Sequence, residues 1–198
     1  MKSPIYRHPV LYQLAMRIVY GGWFEERFRA VADAIPDGVS LTDVCCGDGY
    51  LYRRFLSTRH IDYLGLDINA KFVHWLARRG VNAQVCDVRF DPIPEADIIL
   101  MQASLYQFIP SHENILRKLV DAARKCVILT EPVRNLSTSQ NPLLSRLGRR
   151  FTDPGTGEAP HRFNEETLRQ ILIPYSVDRF EPIAGGREIL VRIGKEGG

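Results

Sequence analysis

No apolar stretch in this chain approaches the length of about eighteen residues that a bilayer-spanning helix needs. The opening MKSPIYRHPV has no hydrophobic region of the kind a secretion signal uses, so a cytoplasmic chain with no membrane partner is expected. Cysteine is scarce and unpatterned. Cys45, Cys46, Cys86 and Cys126 form no C-x-x-C pair and have no histidine at a spacing suited to zinc, so no metal site is expected. Three of them close or follow apolar runs and are expected as buried free thiols. Neither sign of charge dominates: the formal net charge is +3, and basic residues are scattered, with only short clusters such as Arg149-Arg150. That distribution does not favour nucleic acid as the main substrate. Repeats and low-complexity tracts are missing as well. With 198 residues and 45% hydrophobic content, one sizeable core is expected, in a monomer or homodimer.

What the chain does have is a regular alternation. Behind Pro9, Val10, Leu11, Leu14, Ala15, Ile18 and Val19 recur at helical spacing until Gly21-Gly22 breaks the run. A second stripe, Trp23, Phe24, Phe28, Val31, Ala32 and Ile35, ends at the turn Pro36-Asp37-Gly38. These two helices are expected to pack on the sheet, and Tyr12, Tyr20 and Trp23 are candidates to line a pocket. From Val39 strands and helices alternate: a strand to about Cys45, the helix LYRRFL, the strand Ile61 to Asp67, and a helix capped by Asn69 and closed by Gly80. Next come the strand VNAQVCD, the strand ADIILMQ, a helix from Ser111 carrying Ile115, Leu116, Leu119 and Val120, and the strand CVILTE. After Pro132 the pattern lapses for about thirty residues, a length that is usually functional inside a compact domain. Asn164 then caps a helix, and YSVDRFEPI with REILVRIG reads as a terminal hairpin turning at Ala184-Gly185-Gly186. The expected fold is α/β, a three-layer αβα sandwich on a seven-stranded, mostly parallel sheet with an antiparallel last strand and two extra N-terminal helices.

The stretch LTDVCCGDGY, Leu41 to Tyr50, joins the first strand to the helix after it through a loop of small residues. Such a loop leaves the first helical N–H groups free beside the positive end of the helix dipole, a place for a ligand. The order Asp43, Val44, Cys45, Cys46, Gly47, Asp48, Gly49 resembles the first motif of class I S-adenosylmethionine-dependent methyltransferases, D-x-G-x-G-x-G, with Cys45 where that family has its first glycine. Asp67 ends the second strand roughly twenty residues beyond Gly47 and Asp87 ends the third, on the side of an open sheet where ligands bind. A nicotinamide fingerprint would need a third glycine where Tyr52 stands.

The resemblance covers residues 39 to 193 and implies S-adenosylmethionine as cofactor, with S-adenosylhomocysteine as product. Its implied cofactor residues are Asp43, Cys45, Gly47, Gly49, Asp67, Ile68, Asp87, Val88 and Gln102. Asp67 would accept the ribose hydroxyls, Asp87 and the Val88 N–H would meet the adenine, and Asp43 would hold the loop. For Asp67 and Asp87 the alternative is a cap of the following turn. The implied reaction is direct attack on the sulfonium methyl by an oxygen or nitrogen of a small-molecule acceptor. An acceptor in RNA or protein, or a non-catalytic cofactor-binding subunit, is the alternative reading. A hydroxyl acceptor would gain from a base, for which His161 comes first, then Glu131, then His112, each with a structural alternative. Gln102-Ala103-Ser104-Leu105 lacks the N-P-P-Y pattern of relatives that methylate amino groups of DNA or glutamine. The single domain divides into a helical cap (1–38), a cofactor half (39–131), a segment expected to cover the acceptor (132–163), and a last helix with hairpin (164–198).

Overall fold

The computed structural model describes residues 9–133 and 162–195. Helix α1, Pro9–Tyr20, passes through a single 3₁₀ turn, Gly21–Trp23, into α2, Phe24–Asp33. The strands are β1 (Val39–Val44), β2 (Ile61–Asp67), β3 (Ala83–Val85), β4 (Ala96–Gln102), β5 (Ala123–Pro132), β6 (Val177–Ile183) and β7 (Glu188–Gly194). Three further helices are α3 (Ala70–Ala77), α4 (His112–Ala122) and α5 (Glu165–Leu172). The strands form one sheet in the order β3-β2-β1-β4-β5-β7-β6, and β7 runs antiparallel to both β5 and β6. The remaining pairs are parallel. This is the expected seven-stranded sandwich.

Alternation along the strands builds the three layers. Leu41, Ile98, Leu100, Ile128 and Leu190 pack in one cluster with Phe24, Phe28 and Val31 of α2, Ile35 just beyond it, and Leu76 of α3. Val44, Ile99, Met101, Val127, Leu129 and Val191 pack in the other with Ile115, Leu116 and Leu119 of α4 and Leu168 and Leu172 of α5. The chain leaves β1 toward β2 and β3 on one side and takes β4 and β5 to the other. A crevice therefore opens at the carboxyl ends of β1 and β4, the switch point where open α/β sheets hold ligands.

Four local expectations are corrected. LYRRFL is not an α-helix: Tyr52–Leu56 is a π-helical turn, closed by the Ser57 N–H on the Tyr52 carbonyl at 2.8 Å. The third strand pairs over three residues only, where Val81 to Asp87 was expected, while β5 starts earlier than its apolar run and is ten residues long. Of the four free cysteines, Cys86 and Cys126 are buried, whereas Cys45 and Cys46 in the loop are half-buried. Helix starts follow their caps. The Asn69 side chain accepts from the Lys71 N–H, and Asn164 with Thr167 forms a reciprocal capping box on α5.

Candidate functional site

The loop after β1 is shaped by three left-handed residues, Cys45 (φ 61°), Gly47 (φ 58°) and Gly49 (φ 62°). Cys45 thus keeps the backbone of the glycine it replaces, in a region where a side chain is strained. At Gly49 a Cβ would also stand 2.7 Å from Leu76 Cδ2, so α3 packs where only hydrogen leaves room. At Gly47 a Cβ would meet nothing, and that side of the loop is open. Asp67, at the end of β2, braces this conformation: its Oδ2 accepts the Gly47 N–H at 2.8 Å and its Oδ1 the Asn69 N–H at 2.7 Å. One carboxylate therefore fixes both the loop and the start of α3. Each oxygen keeps a lone pair for a further donor. Burial pushes Asp67 upward, opposed by those two N–H groups.

Beneath the loop lies Asp43, only 1% exposed, whose Oδ2 accepts from the Tyr63 hydroxyl at 3.0 Å while Oδ1 has no hydrogen-bond partner. Burial, with Asp67 nearby, moves it up to about 7. Burial beside the same two carboxylates also raises the Cys45 thiol, so this cysteine is not a reactive thiolate. Asp48 is buried in the loop and ties it to α1. Gln13 of that helix and Arg53 both donate to its Oδ2, the latter at 3.2 Å.

On the far side, Ile68 follows Asp67 and is 54% exposed, a bare aliphatic surface beside the crevice. Asp87 is gripped by its own neighbour: Arg89 Nε and Nη2 donate to its two oxygens at 2.8 and 2.6 Å, and the Arg89 N–H adds a turn-capping bond. Hydrogen bonds from Arg89 hold its carboxyl below the usual range. Val88 is buried, and its N–H has no acceptor among the described residues. Gln102 ends β4, where its carbonyl accepts the Ser104 hydroxyl at 2.8 Å.

The reading of Glu131 as a base is corrected. It is fully buried, its Oε1 accepts the N–H groups of Ser104 (2.9 Å) and Leu105 (2.8 Å), and its Oε2 accepts that of Tyr106 (3.2 Å). It caps the 3₁₀ turn Leu105–Phe108 that follows β4. Burial nevertheless moves it up to about 8, with the charge of Glu188 adding to the rise. Sequence reasoning missed Glu188 and its partner Arg27, both buried. Arg27 Nε donates to Glu188 Oε2 at 3.1 Å, its Nη2 lies 3.0 Å from Oε1, and the Tyr20 hydroxyl also donates to Oε1. Tyr20 is therefore a core residue, and Trp23 lies against Gly185. His112 meets Phe163 edge to face at 5.2 Å, and Arg162 lies over the Tyr106 ring at 4.9 Å. The Tyr12 side chain, His161 and most of the expected cover lie outside the described residues.

A family model described as methionine biosynthesis protein MetW matches residues 25–136, more than half of the chain. The chain belongs to the MetW family. Among curated relatives, trans-aconitate 2-methyltransferase of Mycobacterium tuberculosis (strain H37Ra) is 30% identical over 114 residues, 56% of this chain and 43% of that protein. The match thus spans less than half of the relative's length. Among solved structures, this MetW-family chain is similar to a SAM-dependent methyltransferase, possible histamine N-methyltransferase, of Thermotoga maritima. The TM-score is 0.71 at 15% identity, covering 97% of this chain and 98% of that one. It is also similar to magnesium protoporphyrin IX methyltransferase of Synechocystis PCC 6803 with bound SAH, with TM-score 0.68 at 16% identity and 98% of each chain covered. The fold is that of the class I S-adenosylmethionine-dependent methyltransferases. Among the described residues no helix is long and apolar enough to cross a membrane.

Proposed function

We propose that this chain is a methyltransferase that moves a methyl group from S-adenosylmethionine to an oxygen or nitrogen of a small molecule by direct displacement. The observation that carries this reading is the loop of left-handed residues after β1, braced by Asp67 at the switch point of the sheet. The residues present fit the cofactor. Asp67 has lone pairs left for a pair of ribose hydroxyls, Ile68 offers an apolar surface to a purine, the Val88 N–H is available to a ring nitrogen, and the space above Gly47 is open. When bound, the cofactor supplies a methyl group activated on a sulfonium.

The chain's own residues bind and orient. Cys45, Gly47 and Gly49 give the backbone that receives the methionine end, with Gln102 beside it at the end of β4 and Asp43 holding the loop from below. Asp87 lies at the adenine edge, steadied by Arg89. Residues 39–131 form the cofactor half in this reading, with 1–38 as cap, 132–163 as cover and 164–198 completing the sheet. Positioning and exclusion of water can supply most of the acceleration in such a displacement. A hydroxyl acceptor would need a base, and His161 is the residue proposed for it; an acceptor that arrives already anionic would need none. The relatives named for trans-aconitate and for magnesium protoporphyrin support a small-molecule acceptor. Incubation with methyl-labelled S-adenosylmethionine and a metabolite extract tests the reading: label should enter a low-molecular-weight product. Label found only in protein or RNA would contradict it.

A further inference from the structure

We infer, resting on the methyltransferase reading above, that the acceptor is a small carboxylate held through Arg162 where it lies over Tyr106. Tyr106 belongs to the turn that Glu131 fixes at the end of β4, on the ligand-bearing edge of the sheet. Arg162 sits half-buried above its ring and pairs with no carboxylate among the described residues. Two buried acidic groups, Glu188 and Glu131, are already matched. Glu188 is taken up by Arg27 and Tyr20, and Glu131 by three backbone N–H groups. An anion arriving there meets a guanidinium whose planar fork suits a carboxylate.

A carboxylate acceptor also needs no base. Glu131 does not serve as one, since both its oxygens are occupied by N–H groups of the turn. A phenol or an ammonium, with a pKa near ~10, would have to lose a proton first, whereas a carboxylate is already the nucleophile at neutral pH. The step balances without proton transfer. A carboxylate oxygen forms the new O–CH3 bond as the C–S bond breaks, the electron pair of that bond stays on sulfur, and a neutral methyl ester leaves beside neutral thioether sulfur. Loss of the carboxylate charge also loosens the product's hold on Arg162, which favours release.

The test uses the full chain loaded with S-adenosylhomocysteine. Trans-aconitate, a tricarboxylate, should raise its Tm, and histamine should not. Arg162→Gln should bind S-adenosylhomocysteine as the wild type does but lose the response to trans-aconitate, and Arg162→Lys should recover part of it. With methyl-labelled S-adenosylmethionine, a pool of mono-, di- and tricarboxylates should yield base-labile ester, with KM raised roughly ten- to a hundredfold in Arg162→Gln. Label entering a pool of amines or phenols, no ester from the carboxylates, or ester formed equally well by Arg162→Gln would overturn the inference and leave the methyltransferase reading standing. Failure of the wild type to bind S-adenosylhomocysteine at all would overturn both.

Discussion

Asp67 accepts two backbone N–H groups at the end of β2, so removing it acts on the loop and, in the proposed reading, on the cofactor as well. Hydrogen bonds to a charged group contribute about 1.5–3 kcal/mol, and Asp67→Ala should bind S-adenosylmethionine about ten- to a hundredfold more weakly by titration calorimetry. Unchanged affinity would return Asp67 to the role of a turn cap. Asp43 gives a different signature, because burial, with the charge of Asp67 nearby, raises it from 3.8 to about 7. The folded chain holds that proton more tightly than the unfolded one. Its contribution to stability is therefore full below about pH 4, falls as pH rises to about 7, and is flat above; linkage bounds the loss at roughly 4 kcal/mol. Asp43→Asn keeps a partner for Tyr63 and should flatten this slope. Urea unfolding at about pH 5 and pH 8 compares the two, and the same fall in both proteins would show that other groups set it.

At the scale of elements, the N-terminal helices are joined to the rest by polar ties as well as by apolar packing. Arg27 of α2 and Glu188 of β7 form a buried ion pair, and Arg27 also lies over the rings of Tyr20 and Phe28, at 4.5 and 4.7 Å from their centroids. Breaking one side of such a pair costs about 3–5 kcal/mol, because the other charge stays buried. Arg27→Met should destabilise by that amount in chemical denaturation, and Arg27→Met with Glu188→Gln should recover part of it. Additive losses in the double variant would mean that the two side chains do not interact. None of this was legible in the sequence. Arg27 and Glu188 stand 161 positions apart, and nothing in local periodicity pairs them. The strands were legible, since apolar runs between turn residues repeat from Val39 on. LYRRFL was not, because a run so short carries no period that separates a π turn from an α-helix.

At the scale of the whole molecule, the alternation of strands and helices, the terminal hairpin and the loop after β1 follow from pattern, and so does the place of Asp67 at a strand end, whereas the order of the strands is seen only in the structure. Cys45 shows why a motif is better read as backbone than as letters: the glycine is gone, but the left-handed conformation it serves is kept. The acceptor side was less legible. Glu131 looked like a base from its position at the end of a strand, and only the fold shows its oxygens filled by the N–H groups of a turn 25 to 27 positions earlier.

The crevice over β1 and β4 is the place where S-adenosylmethionine is proposed to bind. Thermal unfolding of the whole chain, with S-adenosylmethionine, S-adenosylhomocysteine, NAD or NADP in turn, tests it most directly. A ligand at a hundredfold excess over its Kd stabilises by about 2.7 kcal/mol, which for a chain of 198 residues is a rise in Tm of roughly 5–10 °C. That rise is expected with S-adenosylmethionine and S-adenosylhomocysteine, and no change with either dinucleotide. Stabilisation by NAD or NADP alone would contradict it.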